Sequence, residues 1–137
     1  MGGGAAMARI AAPLAAAFPL LAGCTQDLPT VPLAGWSRAP DLSVYSSMEL
    51  YGAVAREQSI LCGGSSPARV RARWADDFET REVAVRNALA SRHGTAAVDE
   101  AQAFAPQPVS CGHLIDLQWR ENYIRMLRLL EMRLGLA

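Results

Sequence analysis

The sequence predicts an all-α fold, a small up-and-down bundle of three long helices and one short one. From residue 46 onward apolar side chains recur at helical spacing and no segment alternates convincingly at period two. Gly63-Gly64, Gly94, Pro106 and Pro108 separate the periodic segments. A chain of 137 residues has room for one domain and not two.

The first helix is expected from Ser46, which stands three residues before Glu49 in a capping-box spacing. Leu50, Tyr51, Val54, Ala55, Gln58 and Leu61 form its stripe, and Gly63-Gly64 stops it. Ser66-Pro67 opens the second helix, with serine as N-cap and proline in the first helical position. Its stripe is Val70, Trp74, Phe78, Val85 and Leu89, and Gly94 ends it. A short third helix is expected from Thr95 to Phe104, before Pro106 and Pro108. The last runs from near Ser110 to Leu134, with Ile115, Trp119, Tyr123, Met126, Leu127, Leu130 and Leu134 on a wide apolar face.

Residues 25–45 carry Pro29, Pro32, Gly35 and Pro40 with little apolar periodicity, so they are expected to be a flexible tether. Trp36 interrupts it; it either packs on the edge of the domain or touches lipid headgroups or a partner. Before the tether, Arg9 flanks the apolar stretch Ile10–Ala22. That stretch is shorter than the roughly 20 residues a membrane-spanning helix needs, and has the length of a signal-peptide core. The start lies at Met1 or Met7.

This stretch ends in Leu21-Ala22-Gly23-Cys24, which resembles the lipobox of bacterial lipoprotein precursors. The resemblance covers four residues at the end of an apolar run. It implies diacylglycerol on the Cys24 sulfur and cleavage between Gly23 and Cys24. Residues 1–23 are then a signal peptide, 24–45 a lipidated tether, and 46–137 the bundle domain. Thr25, which is not the aspartate associated with inner-membrane retention, favours the outer membrane.

Three cysteines are an odd number. With Cys24 taken by lipid, Cys62 and Cys111 are free to pair in an oxidising compartment. Topology agrees. Cys62 ends the first helix, and the second climbs back roughly 40 Å to Gly94. A short helix of about 15 Å and a proline-rich segment of about 20 Å nearly return the chain to its starting end. Cys111 then lies beside Cys62. A redox or nucleophilic role for this pair would need a C-x-x-C spacing or a histidine and carboxylate set at a recognised spacing; neither is present, and His113, two residues after Cys111, would lie about 200° round a helix.

The remaining candidates favour structure over chemistry. His113 and Asp116 are three apart and share a helix face, but two residues do not make a zinc site, which takes about three or four ligands. His93 beside Gly94 suits a helix end. Among Asp76, Asp77, Glu79 and Glu82, the spacings Asp77–Arg81 and Glu82–Arg86 predict ion pairs along one helix. Arg81 falls in a gap of the apolar stripe, so its stem can close the core rim while its head reaches an acid on another helix. Gly63-Gly64-Ser65-Ser66 with Arg69 offers exposed amides for an anion, but lacks the lysine and spacing of a P-loop. Arg69, Arg71 and Arg73 look basic, but alternate residues do not line one helix face.

Thirteen arginines balance thirteen acids, and there is no lysine, so no strong field selects a nucleic acid as partner. No catalytic residue, metal or cofactor is expected. The sequence therefore favours a non-enzymatic envelope lipoprotein, anchored to a membrane through lipid on Cys24 and facing the periplasm. Its helical domain would bind a protein partner or support an envelope assembly. An inhibitor or immunity-type lipoprotein that blocks a cell-wall enzyme is the alternative.

Overall fold

The computed structural model describes residues 33–103, 109, 111 and 115–137. The expected signal segment, Cys24, the tether through residue 32, the residues around Pro106 and Pro108, Ser110 and His113 lie outside the described residues, as do the side chains of Ile115 and Asp116. The described part is an all-α bundle. Its helices are α1 (Leu33–Trp36), α2 (Asp41–Leu61), α3 (Pro67–His93), α4 (Thr95–Gln102) and α5 (Ile115–Leu134). None of the described helices is long and apolar enough to cross a membrane.

The amino-terminal part of this bundle corrects the expected tether and the expected helix start. Leu33–Trp36 is a helical turn, and α2 begins at Asp41, five residues before Ser46. Pro40 is the N-cap, and its carbonyl accepts from the amides of Ser43 and Val44 at 3.0 and 3.1 Å. Ser46 lies inside the helix, so the capping box is not used. The reason is burial: Val44 and Tyr45, assigned to the tether by proline density, are 0 and 2% exposed and belong to the core. A proline that cannot continue a strand or helix on its amino side is well suited to starting a helix on the other. Trp36 packs against the core, as the edge-packing alternative has it.

The rest follows local chemistry closely. The α2 helix ends at Leu61, and Gly64, at φ +63°, turns the chain. Ser66 caps α3 by accepting from the Arg69 amide at 3.3 Å, with Pro67 in the first turn. Gly94, at φ +88°, closes α3 and leads directly into α4. The α4 helix stops at Gln102, two residues short of Phe104. Cys111 is not helical, and α5 is first helical at Ile115 rather than near Ser110.

The α5 helix packs most extensively on α2, and α4 on both α2 and α3. The Cys62–Cys111 disulfide, with Cα atoms 5.5 Å apart, joins the end of α2 to the approach of α5. At the other end Arg133 of α5 reaches Asp41 of α2 at 3.0 Å. These two links make α2 and α5 antiparallel, with α3 and α5 climbing together. The core gathers Tyr45, Met48, Phe78, Leu89, Tyr123, Leu127 and Leu130. Gly52 permits the close approach of the helices: a Cβ there would lie 3.0 Å from the Tyr123 ring and 3.2 Å from Trp74.

Candidate functional site

The site is a groove at the disulfide end, with a volume of about 550 Å³, lined by α2, α3, the turn between them and one residue of α5. Its α2 wall is Ala55, Gln58 and Ser59, with Cys62 just past the helix end. The turn contributes Gly63 and Ser65. The α3 wall is a row at four-residue spacing, Arg69, Arg73 and Asp77, beside Val70 and Trp74. Residues four apart on a helix share a face, which is why Arg69 and Arg73 meet here and the exposed Arg71 does not.

The charges in this groove are unevenly matched. Arg120 of α5 binds Asp77 at 2.9 Å and lies over the Phe78 ring. Neither Arg69 nor Arg73 makes an ion pair among the described residues. Among the described residues the groove therefore presents two guanidiniums without an ion pair, beside the amino terminus of a long helix whose first turn holds no acid. Both features favour a bound anion.

Guanidiniums stay protonated at any physiological pH, so they bind and orient but do not transfer protons. The hydroxyl of Ser59 donates to the Ala55 carbonyl at 3.0 Å, and Cys62 is held in the disulfide. Trp74 and Val70 give the groove an apolar wall, and Arg56 lies over the Trp74 ring at 4.8 Å from its centroid.

The other sequence candidates are placed elsewhere. His93 lies exposed at the end of α3. Among the described residues no three His, Cys, Asp or Glu side chains gather as metal ligands would. The expected pairs along α3 are corrected: Asp77 binds Arg120 rather than Arg81, and Arg86 binds Asp99 of α4 at 2.5 Å rather than Glu82. Glu82 instead points inward, accepting from the Trp74 indole at 2.9 Å and from the Tyr123 hydroxyl. Partners on other helices outcompete the i, i+4 neighbour because α3 is packed against α2, α4 and α5 along its length. Arg81 does reach across, binding Glu131 of α5 through two nitrogens at 2.6 and 2.7 Å.

A second polar cluster lies above the groove, between α2, α3 and α4. Glu49 accepts from Gln102 at 3.1 Å, and Gln102 in turn accepts from Arg86. Burial pushes the Glu49 carboxyl up from its ordinary value, against the pull of the Gln102 hydrogen bond. The Tyr45 hydroxyl is pushed up to about 12, first by burial and then by Glu49. These groups are tied to one another by the hydrogen bonds from Gln102 to Glu49 and from Arg86 to Gln102.

Sequence reasoning identified Arg69, Cys62 and the glycine-serine turn singly. It missed Arg120 and the Trp74 wall, which reach the groove only through packing of α5 and α3. The spacing of Arg69, Arg73 and Asp77 was a usable signal. Comparison with known proteins gives no match: no family model, no curated protein and no solved structure aligns with the chain.

Proposed function

We propose that this protein is a lipid-anchored, non-enzymatic binding module of the bacterial envelope, facing the periplasm, that holds a protein partner in the groove at its disulfide end. One observation carries the address. Cys62 and Cys111 are joined, so Cys24, within Leu21-Ala22-Gly23-Cys24, is the cysteine left over for lipid. A structural disulfide also fits an oxidising compartment. The groove supports binding over catalysis, because its charged groups are permanent cations and one already paired carboxylate.

Two measurements test this. The mature chain should begin at an acylated Cys24, and Cys24→Ser should leave an uncleaved or soluble form. Because the chain has no lysine, a triacylated mature protein carries no primary amine. Labelling of the purified mature chain by an amine-reactive dye would overturn the fully acylated anchor. For the groove, a photoreactive p-benzoylphenylalanine in place of Ser65 should crosslink to a discrete envelope protein, whereas the same group in place of the exposed Glu79 should not. Equal crosslinking from both positions would remove the groove as the binding site.

A further inference from the structure

We infer that the segment entering the groove is an extended acidic peptide with two carboxylates two residues apart, an acid-x-acid sequence. The inference rests on the groove being the partner site, and it names what the partner must carry. Arg69 and Arg73 are four residues apart on α3, so their stems leave the helix about 6 Å apart along its axis. In an extended chain, side chains two residues apart point the same way and stand about 6.6 Å apart. An acid-x-acid segment lying along α3 therefore offers one carboxylate to each guanidinium. The intervening side chain turns the other way, towards the α2 wall of Ala55 and Gln58.

Two further observations favour a peptide over a single small anion. The groove, at about 550 Å³, is much larger than a phosphate ion, and Ala55, Val70 and Trp74 make part of its lining apolar. Arg69 and Arg73, without an ion pair among the described residues, are a helical turn apart rather than converging from opposite walls. Asp77, which already holds Arg120, sets the end of the row and repels an acid placed one turn further along.

The test uses the full lipidated chain, disulfide intact, in nonionic detergent at about 20 mM salt, where charge contacts are least screened. Dye-labelled, C-amidated peptides Ser-Glu-Val-Glu-Ser and Ser-Glu-Glu-Val-Ser have the same composition and net charge and differ only in the spacing of the acids. Fluorescence anisotropy should show the first binding about fivefold or more tightly than the second, a free-energy difference near 1 kcal/mol. Arg69→Gln or Arg73→Gln, both exposed and so expected to leave the fold intact, should weaken the first peptide by a similar factor and abolish the preference. Arg125→Gln, exposed on α5 outside the groove, should change neither affinity by more than about twofold. Equal binding of the two peptides would overturn the inference, as would an equal loss in the Arg125 variant. Tighter binding of inorganic phosphate than of either peptide would also overturn it and give the groove to a free anion. If Ser65 still crosslinks to a partner while the peptides are not distinguished, the acid-x-acid inference alone falls.

Discussion

The two ends of the bundle use the same residue type in opposite ways. At the end where α2 begins, Arg133 is held by four oxygens. It donates to the carbonyls of Trp36, Ser37 and Ala39 and to the Asp41 carboxylate, at 2.7 to 3.0 Å. Its side chain is 20% exposed. At the disulfide end Arg69 and Arg73 are exposed, line a groove and have no acid of their own among the described residues. A guanidinium whose two terminal nitrogens make four hydrogen bonds inside the fold is a structural clamp. Two that line a groove whose acid, Asp77, is already held by Arg120 are available to something else. Each end is also closed differently, by a covalent bridge in one case and by a charged hydrogen-bond cluster in the other.

The largest expected effect breaks the disulfide end. The bridge closes a loop over a sequence separation of 49. Cys62→Ser with Cys111→Ser should lower stability by roughly 4 kcal/mol in the chain-entropy model, read as a shift of the urea midpoint. Amide exchange should rise first around Cys62 and the start of α3, and last around Tyr45 and Leu130. Uniform loosening of both ends would erase the distinction between them.

The next effect breaks the opposite end. Arg133→Ala should cost about 2 kcal/mol, because it strips a charged donor from Asp41 and from three carbonyls at once. Residues 33–40 should become accessible to protease while α3 remains protected. If that segment stays protected, the core contacts of Trp36 hold it and the arginine is incidental.

Two acids between the ends should respond to pH with opposite signs. The Arg81 hydrogen bond holds the Glu131 carboxyl below its ordinary value. The stability it contributes is present above the ordinary carboxylate range and lost as pH falls through its depressed folded value. Glu49 is raised, chiefly by burial. The stability linked to its proton is full below the ordinary carboxylate range and lost as pH rises through its raised folded value. At pH 7, Glu131→Gln should therefore lower the thermal midpoint and Glu49→Gln raise it. Both differences should shrink in acid, and midpoints that move in the same direction in both variants would contradict the assignment.

The smallest effect sharpens the contrast. Arg69→Gln and Arg73→Gln should each change stability by less than about 0.5 kcal/mol, as exposed side chains without partners do. A loss comparable to that of Arg133→Ala would mean that the groove arginines are structural after all.

Much of this fold was legible residue by residue. The Ser66-Pro67 start, the Gly94 stop and the apolar rows of α3 and α5 follow from interactions within a turn or two of the chain. The disulfide was legible from helix lengths and topology. Asp41–Tyr45 was not, because proline density resembles a linker until Val44 and Tyr45 are seen to be buried. The ion pairs of α3 were misassigned for a related reason: spacing shows which partners are near along one helix and says nothing of those brought up by another. Glu82 is the clearest case, an acid expected to pair with Arg86 that instead receives the Trp74 and Tyr123 donors.

By itself, the sequence determined the helical class, most helix ends and the pairing of Cys62 with Cys111, since capping chemistry, apolar period and chain length act locally or through simple reach. Tertiary structure alone decided which arginines are spent and which, among the described residues, have no ion pair. That depends on whether an acceptor from α1, α2, α4 or α5 arrives within about 3 Å of a guanidinium, a distance that no spacing within a single helix encodes.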